Sequence, residues 1–178
     1  MKKPMIALIA LCLCPVGCGN SKTAEEAAQD GDIPALKRMA ENGDAEAQYH
    51  LAEGYGDGVK GLEWDHEEAA KWYRKAAEQG FNVLDASGRT LYDPAHWLAV
   101  LYKDGRQGLK QDLVAAYAWH TISETNDHSN IAHPWSPSEP KRHLRELAEK
   151  MTPEQISKGQ ELFSEMIKKN PKLIRKKD

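Results

Sequence analysis

The sequence predicts an all-α protein, an α/α solenoid of antiparallel helix pairs with C-terminal capping helices. Three observations carry that expectation. A long segment repeats itself at a constant offset of 47 residues. Glycine and aspartate punctuate stretches whose apolar residues recur with helical period. No cysteine follows residue 18, so packing alone must hold the fold. A chain of 178 residues that is 40% hydrophobic has enough apolar material for one domain.

The first 18 residues differ from all that follow. Lys2 and Lys3 precede a charge-free run from Met5 to Cys14, and then come Pro15, Val16, Gly17 and Cys18. This is the order of a secretory signal. The ten-residue run is half of the roughly 20 apolar residues a membrane-spanning helix requires. The end of the leader resembles a bacterial lipobox, in which a small residue precedes a cysteine that is acylated and becomes the mature N-terminus. Val16 and Gly17 fit that pattern, while Pro15 stands where leucine is usual. The resemblance implies lipidation at Cys18, and Gly19 in place of aspartate implies a cell-envelope location on the outer membrane facing the periplasm. Acyl chains, at about 0.8 kcal/mol per buried CH₂, anchor a protein without any spanning helix. Ordinary cleavage near Gly19 would instead give a soluble periplasmic or secreted protein.

Residues 19–30 read as a linker or short helix, and residues 31–43 as half of a degenerate repeat, with Asp32, Ala35, Ala40, Glu41 and Gly43. The repeat proper begins near residue 44. The 47-residue shift places Leu51 on Leu98, Ala52 on Ala99 and Tyr55 on Tyr102. It continues without a gap through Asp57 and Asp104, Gly58 and Gly105, Gly61 and Gly108, Leu62 and Leu109, Asp65 and Asp112, Ala69 and Ala116, and Trp72 and Trp119. In the first copy, residues 44–80, Ala47, Leu51 and Tyr55 make one buried helix stripe. Gly58 and Gly61 close that helix and turn the chain. Asp65 and Glu68 form a capping box for a second helix that buries Ala69, Trp72, Tyr73, Ala76 and Ala77 and stops at Gly80. The second copy, residues 93–125, departs at Ser123 and Glu124, where the first has Ala76 and Ala77.

These residues resemble a Sel1-like repeat, a relative of the tetratricopeptide repeat. Such repeats usually recur at a shorter period, so residues 81–92 read as an insertion between the two copies. The resemblance implies a non-enzymatic adaptor that binds a protein or peptide partner in a groove lined by the first helix of each pair. On that face it points to Glu46, Tyr49 and Glu53, and at the matching positions of the second copy to Asp93, His96 and Val100. A solvated helix face accounts for the same residues without a partner.

Residues 126–138, rich in Asn, Asp, His, Ser and Pro, read as a loop. In residues 139–178, Ser138 caps a helix running to about Lys150. Thr152, Pro153 and Gln155 then start a last helix, whose Ile156, Leu162, Phe163, Met166 and Ile167 cover the open end of the stack. The basic tail from Lys168 reads as a solvated terminus, with peptidoglycan or anionic lipid as possible contacts.

Little in the sequence points to catalysis. Ser138 and Lys141 have the S-x-x-K spacing of penicillin-recognising enzymes, and some cysteine-rich relatives have been linked to β-lactams, so a β-lactam-binding or hydrolytic envelope enzyme is an alternative. The companion Lys-Thr-Gly is absent, and a helix cap beside Pro140 explains the serine. Asp127, His128 and His133 lack the fixed spacing of a metal site, and the remaining histidines are scattered over different elements. No phosphate-binding glycine loop or nucleophile elbow is present, so no cofactor is expected. Without the leader the chain has 22 basic and 27 acidic residues, a charge of −5, which argues against nucleic acid. A structural lipoprotein that touches the cell wall is the remaining alternative.

Overall fold

The computed structural model describes residues 22–59, 61–84, 90–126 and 142–174. Within them, every helix of the two repeats begins at an aspartate whose side chain accepts a backbone N–H that has no partner inside the helix. Short helices α1 (Ala24–Gln29) and α2 (Ile33–Glu41) lead in, capped by Thr23 and Asp32. The first repeat follows as α3 (Ala45–Asp57) and α4 (His66–Glu78), capped by Asp44 and Asp65. The second is α5 (Pro94–Asp104) and α6 (Leu113–Asn126), capped by Asp93 and Asp112. Beyond them lie α7 (Arg142–Ala148) and α8 (Pro153–Lys169). Ser138, expected to cap α7, lies outside the described residues. The expected capping box at Thr152 and Gln155 does start α8.

The turn inside each pair is built the same way twice. Gly58 and Gly105 end α3 and α5 at φ 63° and 58°, a left-handed conformation that favours glycine. The chain then returns so that the N–H of Asp65 donates to the Tyr55 carbonyl at 3.0 Å, and that of Asp112 to the Tyr102 carbonyl at 2.9 Å. The helix cap is therefore tied to the helix before it. A further bond, from the His66 N–H to the Gln107 carbonyl at 3.2 Å, joins the turn of one repeat to the turn of the next.

Alanines set the spacing of the stack. Ala52, Ala69, Ala76, Ala77, Ala95 and Ala99 are buried in one cluster with Tyr49, Tyr73, Leu98, Trp119 and Ile122. A second cluster joins α1 and α2 to α3 through Ala27, Leu36, Ala47 and Leu51. Trp119 is buried in the main cluster, whereas its counterpart Trp72 sits half-buried at the edge of both clusters. Gln48 links three helices: its amide donates to the Ala40 carbonyl at the end of α2, and its oxygen accepts from Gln79 at the end of α4.

The C-terminal helix closes the stack. Gly159 lets α8 approach Tyr117 of α6, since a Cβ there would lie 2.7 Å from that ring. Phe163, Met166 and Ile167 pack on the main cluster. The basic tail differs from the sequence expectation, because it is folded as far as Ile174. After α8 a 3₁₀ turn, Pro171–Leu173, buries Leu173 in the main cluster, and Asn126 donates to the Leu173 carbonyl at 2.7 Å. One buried leucine and one buried amide are enough to hold a segment whose lysines stay at the surface. Among the described residues, no helix is long and apolar enough to cross a membrane.

The insertion forms a small antiparallel hairpin, β1 (Val83–Leu84) and β2 (Thr90–Tyr92), which pairs Val83 with Tyr92 and Leu84 with Thr90. It is the one strand pair among the described residues of an otherwise helical fold.

Two glycine substitutions separate the backbone and steric parts of the turn. Gly105 and Gly108 both have positive φ, but an added Cβ meets the Gln111 backbone nitrogen at 2.3 Å in the first case and nothing within 4 Å in the second. Gly108→Ala should lower stability by about 1 kcal/mol, and Gly105→Ala by roughly 2–4 kcal/mol. Urea unfolding of the two variants measures the difference, and equal losses would contradict the steric account.

A candidate binding face and a histidine cluster

The first-helix face expected to be open is partly covered, and the insertion covers it. Tyr49 was expected on that face; it is instead only 2% exposed and belongs to the main core. Tyr92, at the end of β2, lies over it with ring centroids 4.8 Å apart, and Phe81, just before β1, lies at 6.0 Å. Tyr73 of α4 meets it edge-on at 5.5 Å. A helix face that a solenoid would leave to solvent has here been filled by residues contributed from 81–92. Burial, followed by the nearby Glu53 carboxylate, raises the Tyr49 hydroxyl pKa far above its ordinary value.

Asp93 is also corrected. The offset of 47 aligned it with Glu46, yet it is the cap of α5, the role Asp44 plays for α3. The second helix is two residues shorter, 11 against 13, so the repeats match from their C-terminal glycines and slip at their starts. One Asp93 oxygen accepts the N–H groups of Ala95 and His96 at 3.0 and 3.1 Å; the other accepts the Ser123 hydroxyl. Ser123 stands where the first repeat has Ala76, so its departure supplies a third hydrogen bond to a buried carboxylate, on the oxygen the cap leaves open.

Of the remaining candidates, the structure brings Glu46 and Glu53 together and places His96 elsewhere. Burial first, and then the negative charge of Glu25 of α1 and of Glu53 and Glu46 of α3, raises the pKa of the Tyr92 hydroxyl. Glu53 is held by His50, whose Nδ1 lies 2.9 Å from its carboxylate oxygen. Val100 is half-buried on α5. Sequence reasoning missed Glu25 and Tyr92, because neither lies on a repeat position and only the hairpin carries Tyr92 to α3.

His96 belongs to a second cluster. Its ring lies 5.6 Å from His120 of α6 and 5.4 Å from His143 of α7, and the last two lie 5.6 Å apart with nearly parallel planes. The offset of 47 sets His96 and His120 on Tyr49 and Tyr73, which meet in the same way in the first copy, whereas nothing in the sequence announced His143. The three rings meet as packing partners: among the described residues no group of His, Cys, Asp and Glu is arranged to hold a metal ion. Asp127, His128, His133, Ser138, Lys141 and the lipidation candidate Cys18 lie outside the described residues.

His120 is 2% exposed, and its Nε2 is buried without a hydrogen-bond partner among the described residues. Burial first, then the positive charge of His96, His143 and Lys103, pushes its pKa down to about 3. In the unfolded chain the ring takes its proton near pH 6.5. Stability from this group is therefore complete above about pH 6.5 and is lost as pH falls toward 3. Urea unfolding between pH 7 and pH 4 should show a loss approaching roughly 1.4 kcal/mol per pH unit from this one ring. His120→Leu should remove that component of the slope, and an unchanged slope would assign the acid sensitivity to other groups.

The repeat model for Sel1 matches residues 45–81 and 95–128, on either side of the hairpin. No curated protein matches the chain. Among solved structures it is similar to a protective antigen present in uropathogenic Escherichia coli strains that displays an SLR fold. The two share 24% identity and a TM-score of 0.62, over 85% of this chain and 32% of the other. The chain thus spans about a third of that structure, and the likeness is one of fold. Helix caps, paired turns and repeat matches agree: this chain carries two Sel1 repeats, stacked as an all-α solenoid.

Proposed function

We propose that the protein is a non-enzymatic, envelope-tethered adaptor that binds a protein or peptide partner on the face formed by α1, α3 and the hairpin. The observation that carries the reading is the seating of Tyr92 from the hairpin on α3, 4.8 Å from the Tyr49 ring and 5.3 Å from the ring of His50, whose Nδ1 lies 2.9 Å from Glu53. Repeats of this kind typically mediate protein–protein contacts, and here the face offers an aromatic ring in the negative field of Glu25, Glu46 and Glu53. Such a surface favours a partner segment with basic side chains, attracted by charge and seated against the ring. Val100 and His96 of α5 are secondary candidates on the neighbouring helix, and Tyr49 supports the face from beneath. The tether is the acylated Cys18, which would hold the protein on the outer membrane facing the periplasm.

Binding is tested by capture from envelope extracts with wild type and a Glu25→Lys, Glu46→Lys double variant of unchanged helicity. Reversing two charges should abolish retention of the partner, and moderate salt should weaken the wild-type complex several-fold. A partner retained equally by both forms would place the binding surface elsewhere.

The tether is tested by labelling cells with radioactive palmitate. Wild type should incorporate label and sediment with membranes, whereas Cys18→Ala should be unlabelled and soluble. Absence of label in wild type would overturn the lipoprotein reading.

A further inference from the structure

The histidine cluster sits where three helices meet, and those helices are held unequally. α5 and α6 are built into the main core through Leu98, Ala99, Trp119 and Ile122. α7 has seven residues and is anchored by Leu147, which packs with Ala116 of α6 and with Met151. A helix that short has little stability of its own and depends on its contacts. His143 of α7 also meets the stack, with its ring parallel to His120 and edge-on to His96.

We propose that His96, His120 and His143 form an acid-sensitive latch that docks α7 while the three rings are neutral and releases it when they take up protons. Neutral rings at these distances pack favourably, edge to face and face to face. Imidazolium rings in the same places repel one another, and a buried one also loses its hydration. Like charge reaches His120 from His96 and Lys103 of α5 and from His143 of α7. On α7 itself Arg145 and Glu146 are exposed, and Glu124 lies one turn further along α6. α8 meets α6 through Gly159, Phe163, Met166 and Ile167, none of which titrates. Release of α7 relieves the repulsion and gives up the packing of Leu147 on Ala116. It uncovers Ala116, Leu147 and Met151, so the state formed in acid presents an apolar surface that the neutral state conceals.

Hydrogen exchange of the full chain, read by mass spectrometry at pH 7.5 and pH 5.5 and corrected for intrinsic rates, tests the latch. Protection of residues 142–148 should fall at least tenfold at the lower pH and stay below that of α3 and α4 at both, because α7 opens without the rest of the fold. His143→Phe keeps an aromatic ring and removes a proton site; it should hold the loss below about threefold. Should that variant fail to fold, His143→Gln supplies the same comparison. Unchanged protection of α7 in wild type, an equal loss in the variant, or α7 protection equal to that of α3 and α4 at both pH values would each overturn the proposal.

Discussion

The close approach of alanine-lined helices is the constraint on which the rest of the structure depends. Ala52, Ala69, Ala76 and Ala99 have side chains too small to hold two backbones apart, so α3, α4 and α5 pack with little between them. That proximity is what allows a peptide N–H of one helix cap to reach a carbonyl of the preceding helix, as Asp65 does with Tyr55 and Asp112 with Tyr102. It also leaves little apolar area per residue, so the few large side chains count for more. Tyr49, Trp119, Leu51 and Leu98 fill the spaces the alanines leave, and with every cysteine at or before residue 18 no disulfide supports them.

A stack of helix pairs ends in two unsatisfied faces, and this chain treats its ends differently. At one end α1 and α2 cover Ala47 and Leu51 of α3. At the other, α8 crosses α6 on Gly159 and its 3₁₀ extension returns to bury Leu173. The insertion acts on a third surface, the first-helix face. By laying Phe81 and Tyr92 on Tyr49 it converts a repeat position into core and moves the exposed chemistry outward, to Tyr92 and its carboxylates. The candidate binding surface is therefore a product of the interruption between the repeats as much as of the repeats themselves.

The charged groups of the two copies have diverged in the same way. Ser123 replaces an alanine where Asp93 has come inside, and it donates to the carboxylate oxygen that the cap does not use. His120 and His96 stand at the positions of Tyr73 and Tyr49 and keep their edge-on contact, and His143 of α7 adds a third ring from outside the repeats. Repetition supplies the frame, and single substitutions within it create local electrostatics.

Helix order, the caps at Asp65 and Thr152, and the glycine turns were legible in the sequence because each depends on neighbours within a few residues. The 47-residue offset determined the pairing of helices for the same reason, since identical local signals fold identically. The candidate face was legible only in part: Glu46 and Glu53 stay half-buried on α3, but Tyr49 and Asp93 are buried. A helix position is open or covered according to what packs on it, and what covers Tyr49 comes from 81–92, more than thirty residues away. The meeting of His96, His120 and His143 likewise required three helices to be set side by side. Local backbone preferences determine where helices begin and end, whereas burial and proximity of charge are properties of the folded stack, decided only when distant segments compete for the same surface.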